Sequence, residues 1–278
     1  MLFVKQEGQY LTPRTSHPTP PLPVFVRAKK HLGQHFLKED GTAQRIAGSL
    51  TGHGGYSHLI EVGPGTGALT KHLLALGKYE LTCFEVDRES VAHLAQAYPD
   101  LRVLERDFLH ADLARITDGK LAVIGNFPYN ISTQIVFKVL DDRQRVTEMV
   151  GMFQKEVADR ICAGPGSKTY GITSVLTQAW YDCDMLFIVE PESFIPPPKV
   201  RSAVIRLRRN NVLELDCDEA LLYQVVKTAF NQRRKMLGNA LKNFAPLAKG
   251  VPERYAKLRA EQLSVADFIA LTQACEAP

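Results

Sequence analysis

The chain has 278 residues and a formal net charge of +4, with 45% hydrophobic and 23% charged positions. That balance describes a soluble globular protein with room for one large or two modest domains, and no apolar run is long enough to span a bilayer. Its five cysteines (Cys83, Cys162, Cys183, Cys217 and Cys275) are odd in number and form no C-x-x-C pair. This argues against a disulfide framework or a zinc site and suits a reducing cytoplasm.

Residues 1–26 carry Pro13, Pro18, Pro20, Pro21 and Pro23 but no basic or apolar region of a signal peptide, and read as a loosely packed extension. Strands and helices then alternate, the mark of an α/β protein with a mainly parallel sheet. A helix over Thr42–Leu50 precedes a strand at Leu59–Val62, a helix near Ala68–Leu76, a strand at Glu80–Glu85 and a helix over Ser90–Ala97. Leu101–Glu105 and Leu121–Gly125 read as strands, Thr133–Leu140 as a helix, Thr147–Phe153 as a strand, and Gln154–Cys162 and Thr173–Trp180 as helices. Strands at Met185–Val189 and Ser202–Leu207 close a first domain over residues 27–210. Beyond Asn210-Asn211 only helical spacing remains, at Leu221–Phe230, Arg234–Asn243 and Ser264–Ala274, so residues 211–278 read as a small all-helical domain.

The modest net charge hides three stretches with bases and no acid. Arg27–Lys38 holds Arg27, Lys29, Lys30 and Lys38, and Lys199–Arg209 holds Lys199, Arg201, Arg206, Arg208 and Arg209. Lys227–Lys242 holds Lys227, Arg233, Arg234, Lys235 and Lys242. Any one of them is an ordinary solvated face; together they can converge into a phosphate-binding surface.

Glu61-Val62-Gly63-Pro64-Gly65-Thr66-Gly67 joins the first strand of the sheet to the next helix. Glycines there let a ligand lie against the backbone and reach N–H groups at the helix start, although the loop alone does not discriminate between nucleoside cofactors. Glu85, about twenty residues on, is placed to take ribose hydroxyls, with Asp87 as its rival, and Asp107 is placed to accept from an adenine amine. Gly125-Asn126-Phe127-Pro128-Tyr129-Asn130 follows the apolar run Leu121–Ile124. The Asn126 amide oxygen and the Pro128 carbonyl can both accept from one exocyclic NH2, and the Tyr129 ring offers a flat surface for a base. Proline stiffens this turn. Glycine loop, strand-end acids and turn together point to a nucleic-acid adenine N6-methyltransferase. His31 and His35 lack the further ligands of a metal site, and Trp180 reads as core.

These motifs, with Lys30–Leu37, Gln154–Arg160, Phe194–Val200, Asn231–Lys235 and Arg259–Ser264, resemble those of the small-subunit (16S) ribosomal RNA adenine N6,N6-dimethyltransferases from about residue 27 to the end. The resemblance implies a Rossmann-like class I methyltransferase domain that uses S-adenosyl-L-methionine, plus a helical RNA-binding domain. It further implies dimethylation of two adjacent adenosines in the 3′-terminal hairpin of 16S rRNA in the immature small ribosomal subunit, by a cytoplasmic monomer. Carried over residue by residue, the cofactor contacts are His35, Leu37, Gly63, Glu85, Asp107 and Asn126. The catalytic set is Asn126, Pro128 and Tyr129, with Phe194 a second stacking surface if it is not a core aromatic. Two positions depart from the pattern. His35 stands where the family often has Asn, and Phe127 stands where it often has Leu, a neutral change if that side chain faces the core. The rival readings are a 23S rRNA adenine methylase of the antibiotic-resistance type and a non-catalytic RNA-binding assembly factor. A DNA adenine methylase is disfavoured, because its turn usually has a second proline at the place of Phe127.

Overall fold

The computed structural model describes residues 26–247 and 250–276, so the proline-rich residues 1–25 lie outside the described part. The chain opens with β1 (Phe36–Leu37), α1 (Asp40–Ala47), β2 (His58–Val62), α2 (Thr70–Leu76), β3 (Glu80–Glu85), α3 (Arg88–Ala97) and β4 (Arg102–Glu105). It continues through β5 (Leu121–Asn126), α4 (Ser132–Asp141), β6 (Val146–Gln154), α5 (Lys155–Cys162), α6 (Ile172–Gln178), β7 (Tyr181–Val189), β8 (Phe194–Ile195) and β9 (Ser202–Arg209). The helices α7 (Glu219–Asn231), α8 (Leu237–Ala240), α9 (Glu253–Ala256) and α10 (Val265–Glu276) complete it.

Seven strands form one sheet in the order β4-β3-β2-β5-β6-β9-β7. The first five run parallel, and β9 lies antiparallel to both β6 and β7. Helices cover both faces, which is why the central strands are apolar on both sides, with few polar residues such as the buried Glu61 and Glu148. Successive residues point to opposite faces: Ile60 and Val123 enter one core cluster, while Leu59, Ala122 and Ile124 enter the other. From β2 the chain winds outward through β3 and β4, then returns to β5 on the other side of β2. The carboxyl ends of β2 and β5 therefore flank a topological switch point, where ligands bind in open α/β sheets.

A third cluster is helical. Leu222, Val225, Val226 and Ala229 of α7 pack with Phe268 and Leu271 of α10, and Tyr170 and Val175, which precede residue 210, join them. Arg143 reaches both carboxylate oxygens of Glu219 at 2.7 Å, fastening the end of α4 to the start of α7. The Arg209 guanidinium donates to the carbonyls of Trp180, Asn210 and Val212, and lies with that of Arg143 over the buried Trp180 ring.

Two elements differ from expectation. β7 begins at Tyr181, four residues earlier than its apolar pattern suggests, because it pairs with β9 from Tyr181↔Arg209 onward. The helix expected over Arg234–Asn243 shrinks to Leu237–Ala240. Its first residues are drawn elsewhere: Met236 bridges Arg259, and Leu237 N–H donates to the Leu258 carbonyl.

Candidate active site

A cavity of about 190 Å³ opens at the switch point, walled by residues 32–36, the glycine loop, the ends of β3 and β4, and the 126–131 turn. Gly63 and Gly65 sit at φ 68° and 55°, a left-handed conformation that disfavours other residues. A Cβ at Gly65 would stand 2.8 Å from the Phe36 ring, so this glycine lets Phe36 close over the loop.

Glu85 lines the cavity and is 4% exposed. Its Oε1 accepts from the N–H of Val86 and of Asp87, both at 2.8 Å, and its Oε2 from Gly65 N–H at 3.1 Å, which leaves Oε2 lone-pair capacity for a hydroxyl. Burial pushes this carboxyl above its usual range, while the amides of Asp87, Gly65 and Val86 pull it back. Asp87 is fully engaged elsewhere. It caps α3 through Glu89 N–H, pairs with Lys29, and accepts from Gln34 Nε2 and Ser90 Oγ. Asp107 lines the cavity too, its Oδ1 held by Leu109 N–H at 2.9 Å and its Oδ2 3.2 Å from His110 Nδ1. Between these acids Val86 is 50% exposed, and with Phe108 and Ile131 it supplies apolar wall. Carboxylates at two edges and apolar surface between them are the lining a nucleoside requires.

The turn after β5 is built from below. The Phe127 ring is 1% exposed and faces the core, edge-on to Phe153 at 5.3 Å. It occupies a notch left by Gly125 and Gly151, where added Cβ atoms would come within 2.7 Å and 2.2 Å of it. With that ring anchored, Asn126 and Pro128 face the cavity. Asn126 Nδ2 donates to the His35 carbonyl at 2.8 Å. A carbonyl only accepts, so the bond assigns the amide nitrogen to the His35 side and leaves Oδ1 available to accept. The Pro128 carbonyl already accepts from Ile131 N–H at 3.1 Å, so an incoming amine would use its second lone pair. The Tyr129 hydroxyl bonds Ser202 Oγ, and its ring stacks on His35 at 5.4 Å between centroids.

His35, Gly63, Glu85, Asp107, Asn126, Pro128 and Tyr129 thus share one cavity. Leu37 and Phe194 do not line it. They oppose each other in the β1–β8 ribbon and are 6% and 1% exposed, in one core cluster. The Phe194 ring is thus buried in this structure and does not border the cavity, which fits the core-aromatic reading, and a cofactor contact from Leu37 would run through its backbone. Gln34, Phe36, Val86 and Arg106 also line the cavity; the first two lie inside the Lys30–Leu37 motif and the last two beside the predicted acids.

The basic stretches are only partly free. Lys29 pairs with Asp87 and Glu89, Arg206 and Arg208 with Asp184, and Arg233 with Glu261. Lys30, Lys38, Lys199, Arg234, Lys235 and Lys242 are exposed and make no ion pair among the described residues. Among those residues no group of three His, Cys, Asp or Glu side chains is placed to hold a metal ion, and no helix is long and apolar enough to cross a membrane.

Residues 25–273 match the family model described as ribosomal RNA adenine dimethylase. The chain belongs to that family. A ribosomal RNA small subunit methyltransferase A from Cytophaga hutchinsonii is 53% identical over 251 residues, covering 89% of this chain and 96% of that one. One from Parabacteroides distasonis is 52% identical over 253 residues, 89% and 94% of the two chains. Among solved structures, a dimethyladenosine transferase from Plasmodium falciparum superposes with a TM-score of 0.70 at 24% identity, covering 85% and 96%. The 23S rRNA methyltransferase ErmE gives a TM-score of 0.61 at 24% identity, covering 86% and 99%; at that identity both show the shared class I methyltransferase fold.

Proposed function

We propose that this family member transfers methyl groups from S-adenosyl-L-methionine to N6 of two adjacent adenosines in the 3′-terminal hairpin of 16S rRNA, acting as a monomer on the immature small subunit in the cytoplasm. The observation that supports this reading is Asn126, which lines the cavity with its Nδ2 committed to the His35 carbonyl, so that its Oδ1 remains available as an acceptor. The relatives at about half identity bear the small-subunit name, which favours that RNA over 23S.

The residues lining the cavity fit the cofactor's chemistry: Gly63 leaves backbone accessible, Glu85 Oε2 would accept from ribose, Asp107 would accept from the adenine amine, and Val86 and Phe108 would supply apolar wall. Bound there, the cofactor supplies an electrophilic methyl group. The residues of this chain do the rest. Asn126 Oδ1 and the free lone pair of the Pro128 carbonyl accept from the two N–H bonds of the target amine in the first transfer, and one of them from the single N–H left in the second, which draws the nitrogen out of conjugation and aims its lone pair. Alignment of this kind contributes several kcal/mol, up to about 7–11 in the best intramolecular cases. Tyr129 stacks the extruded base, worth about 1–3 kcal/mol against the loss of its neighbours in the RNA. No strong base is required, since the nitrogen's proton becomes acidic on alkylation and leaves to water.

Mass spectrometry of 16S RNA in immature subunits, before and after incubation with the protein and cofactor, tests the reading. Two dimethylated adenosines are expected. Asn126→Ala should lower methyl incorporation by at least about a hundredfold, the scale of losing an oriented polar contact to the reacting group, while RNA binding persists. Undiminished incorporation by that variant would remove Asn126 from the mechanism.

A further inference from the structure

The His35 side chain has geometry of its own, separate from any cofactor contact. In the β1–β8 ribbon Phe36 opposes Ile195 and Leu37 opposes Phe194, so His35 and Pro196 are the next pair in register. Pro196 has no N–H to donate, and the backbone ladder stops there. Beyond the ladder the imidazole makes a link of its own: Nδ1 lies 2.7 Å from the Pro196 carbonyl, which can only accept, so Nδ1 carries the proton. The same ring lies against one face of Tyr129, tilted by 29°. Tyr129 is tied at its hydroxyl by Ser202 Oγ, the first residue of β9. A hydroxyl tether alone leaves the phenol ring free to tilt about it, and a face contact removes that freedom.

We propose that His35 is a positioning residue for the target base. Its imidazole backs the Tyr129 ring and, braced on Pro196, fixes the plane on which adenine stacks, whereas the carried-over cofactor contact would run through the His35 backbone. The Asn126 bond goes to the His35 backbone carbonyl and survives side-chain replacement. Losing the backing therefore leaves the amine acceptors in place but lets the base lie off line, a fault expressed in turnover. The proposal rests on the methyltransferase reading above.

Three variants test it. His35→Ala removes ring and brace, His35→Phe keeps a ring without the polar bond, and His35→Asn keeps a polar group without a ring. Measurements are kcat and KM for a 16S-derived RNA, the affinity for S-adenosylhomocysteine by calorimetry, and the fluorescence of 2-aminopurine replacing the target adenine. Expected for His35→Ala are a kcat lowered roughly three- to tenfold, the scale of one aromatic pair, homocysteine-analogue affinity within twofold of wild type, and weaker quenching of 2-aminopurine. His35→Phe, which restores the ring but not the brace, should recover part of the turnover and quenching, and His35→Asn should recover neither. The proposal is overturned if His35→Ala turns over like wild type, if its analogue affinity falls as much as kcat, or if turnover or RNA affinity rises, which would make the ring a plug. Wild-type protein that leaves adenine unmethylated would instead overturn the functional reading itself.

Discussion

Replacing Gly151 with alanine asks whether the Asn126–Tyr129 turn stands on the Phe127 ring. A Cβ at Gly151 would lie 2.2 Å from Phe127 Cε2, 2.8 Å from Cδ2 and 2.7 Å from Phe153 Cε2. The backbone has no room to retreat, because β6 is paired on both sides, with Gly125 and Ile205 opposite this residue. Both rings are at most 1% exposed, so neither can swing outward. Overpacking of this kind costs about 1–3 kcal/mol. Phe127→Ala should cost about 3–5 kcal/mol by emptying the notch. In that background the methyl of Gly151→Ala enters vacated space, so the double variant should be more stable than additivity predicts by about 1–3 kcal/mol, the range of directly contacting pairs. Urea unfolding at 25 °C of the four proteins yields the coupling, and methyl incorporation by each should fall with loss of the notch, since the turn loses its floor. Additivity within about 0.5 kcal/mol would falsify the lock.

Glu148 is 0% exposed, and its carboxylate takes the N–H groups of Thr51, Gly52 and His53, the Thr51 hydroxyl at 2.8 Å and the Tyr56 hydroxyl at 2.7 Å. Glu148→Gln turns one acceptor into a donor facing donors and should cost about 3–5 kcal/mol, or roughly 6–20 °C in calorimetric Tm; a shift under about 2 °C would refute the assigned bonds. Glu61 is 1% exposed at the end of β2, and burial pushes its carboxyl from the ordinary 4.5 up to about 7 despite help from Thr70 and Cys83. The folded protein then holds a proton that the unfolded chain has released, so this group's contribution is intact below pH 4.5 and is lost as pH rises through 7, by up to about 3 kcal/mol. Glu61→Gln should therefore gain stability relative to wild type between pH 5 and 8 in urea titrations, and a pH-independent difference between the two would sink the argument.

Local pattern made much of this molecule legible. The run Leu121–Ile124 is apolar throughout, and Leu59–Val62 is apolar but for the buried Glu61, because both sheet faces are covered; such runs followed by glycine mark the loops that form the cavity. Phe127 was readable as a core residue from its place between a strand and a proline, but the notch that receives it needs Gly151 from a neighbouring strand. What the sequence hid lies in partners from far along the chain. Phe194 sits before a proline turn that suits an exposed ring, yet a two-residue ribbon with Leu37 buries it, and two residues carry no periodicity to announce a strand.

The acid-free basic stretches make the same point about charge. Lys29 finds Asp87, Arg206 finds Asp184 and Arg233 finds Glu261, so a stretch without acids in sequence is not a stretch without acids in space. A phosphate-binding surface must therefore be drawn from cations that folding leaves exposed, such as Lys30, Lys38 and Lys199, and Arg234, Lys235 and Lys242 in the helical part. His35 follows this logic most fully. Its neighbours Gln34 and Phe36 announce a motif, but its side chain takes its meaning from Pro196, 161 residues away, whose carbonyl accepts from the imidazole Nδ1.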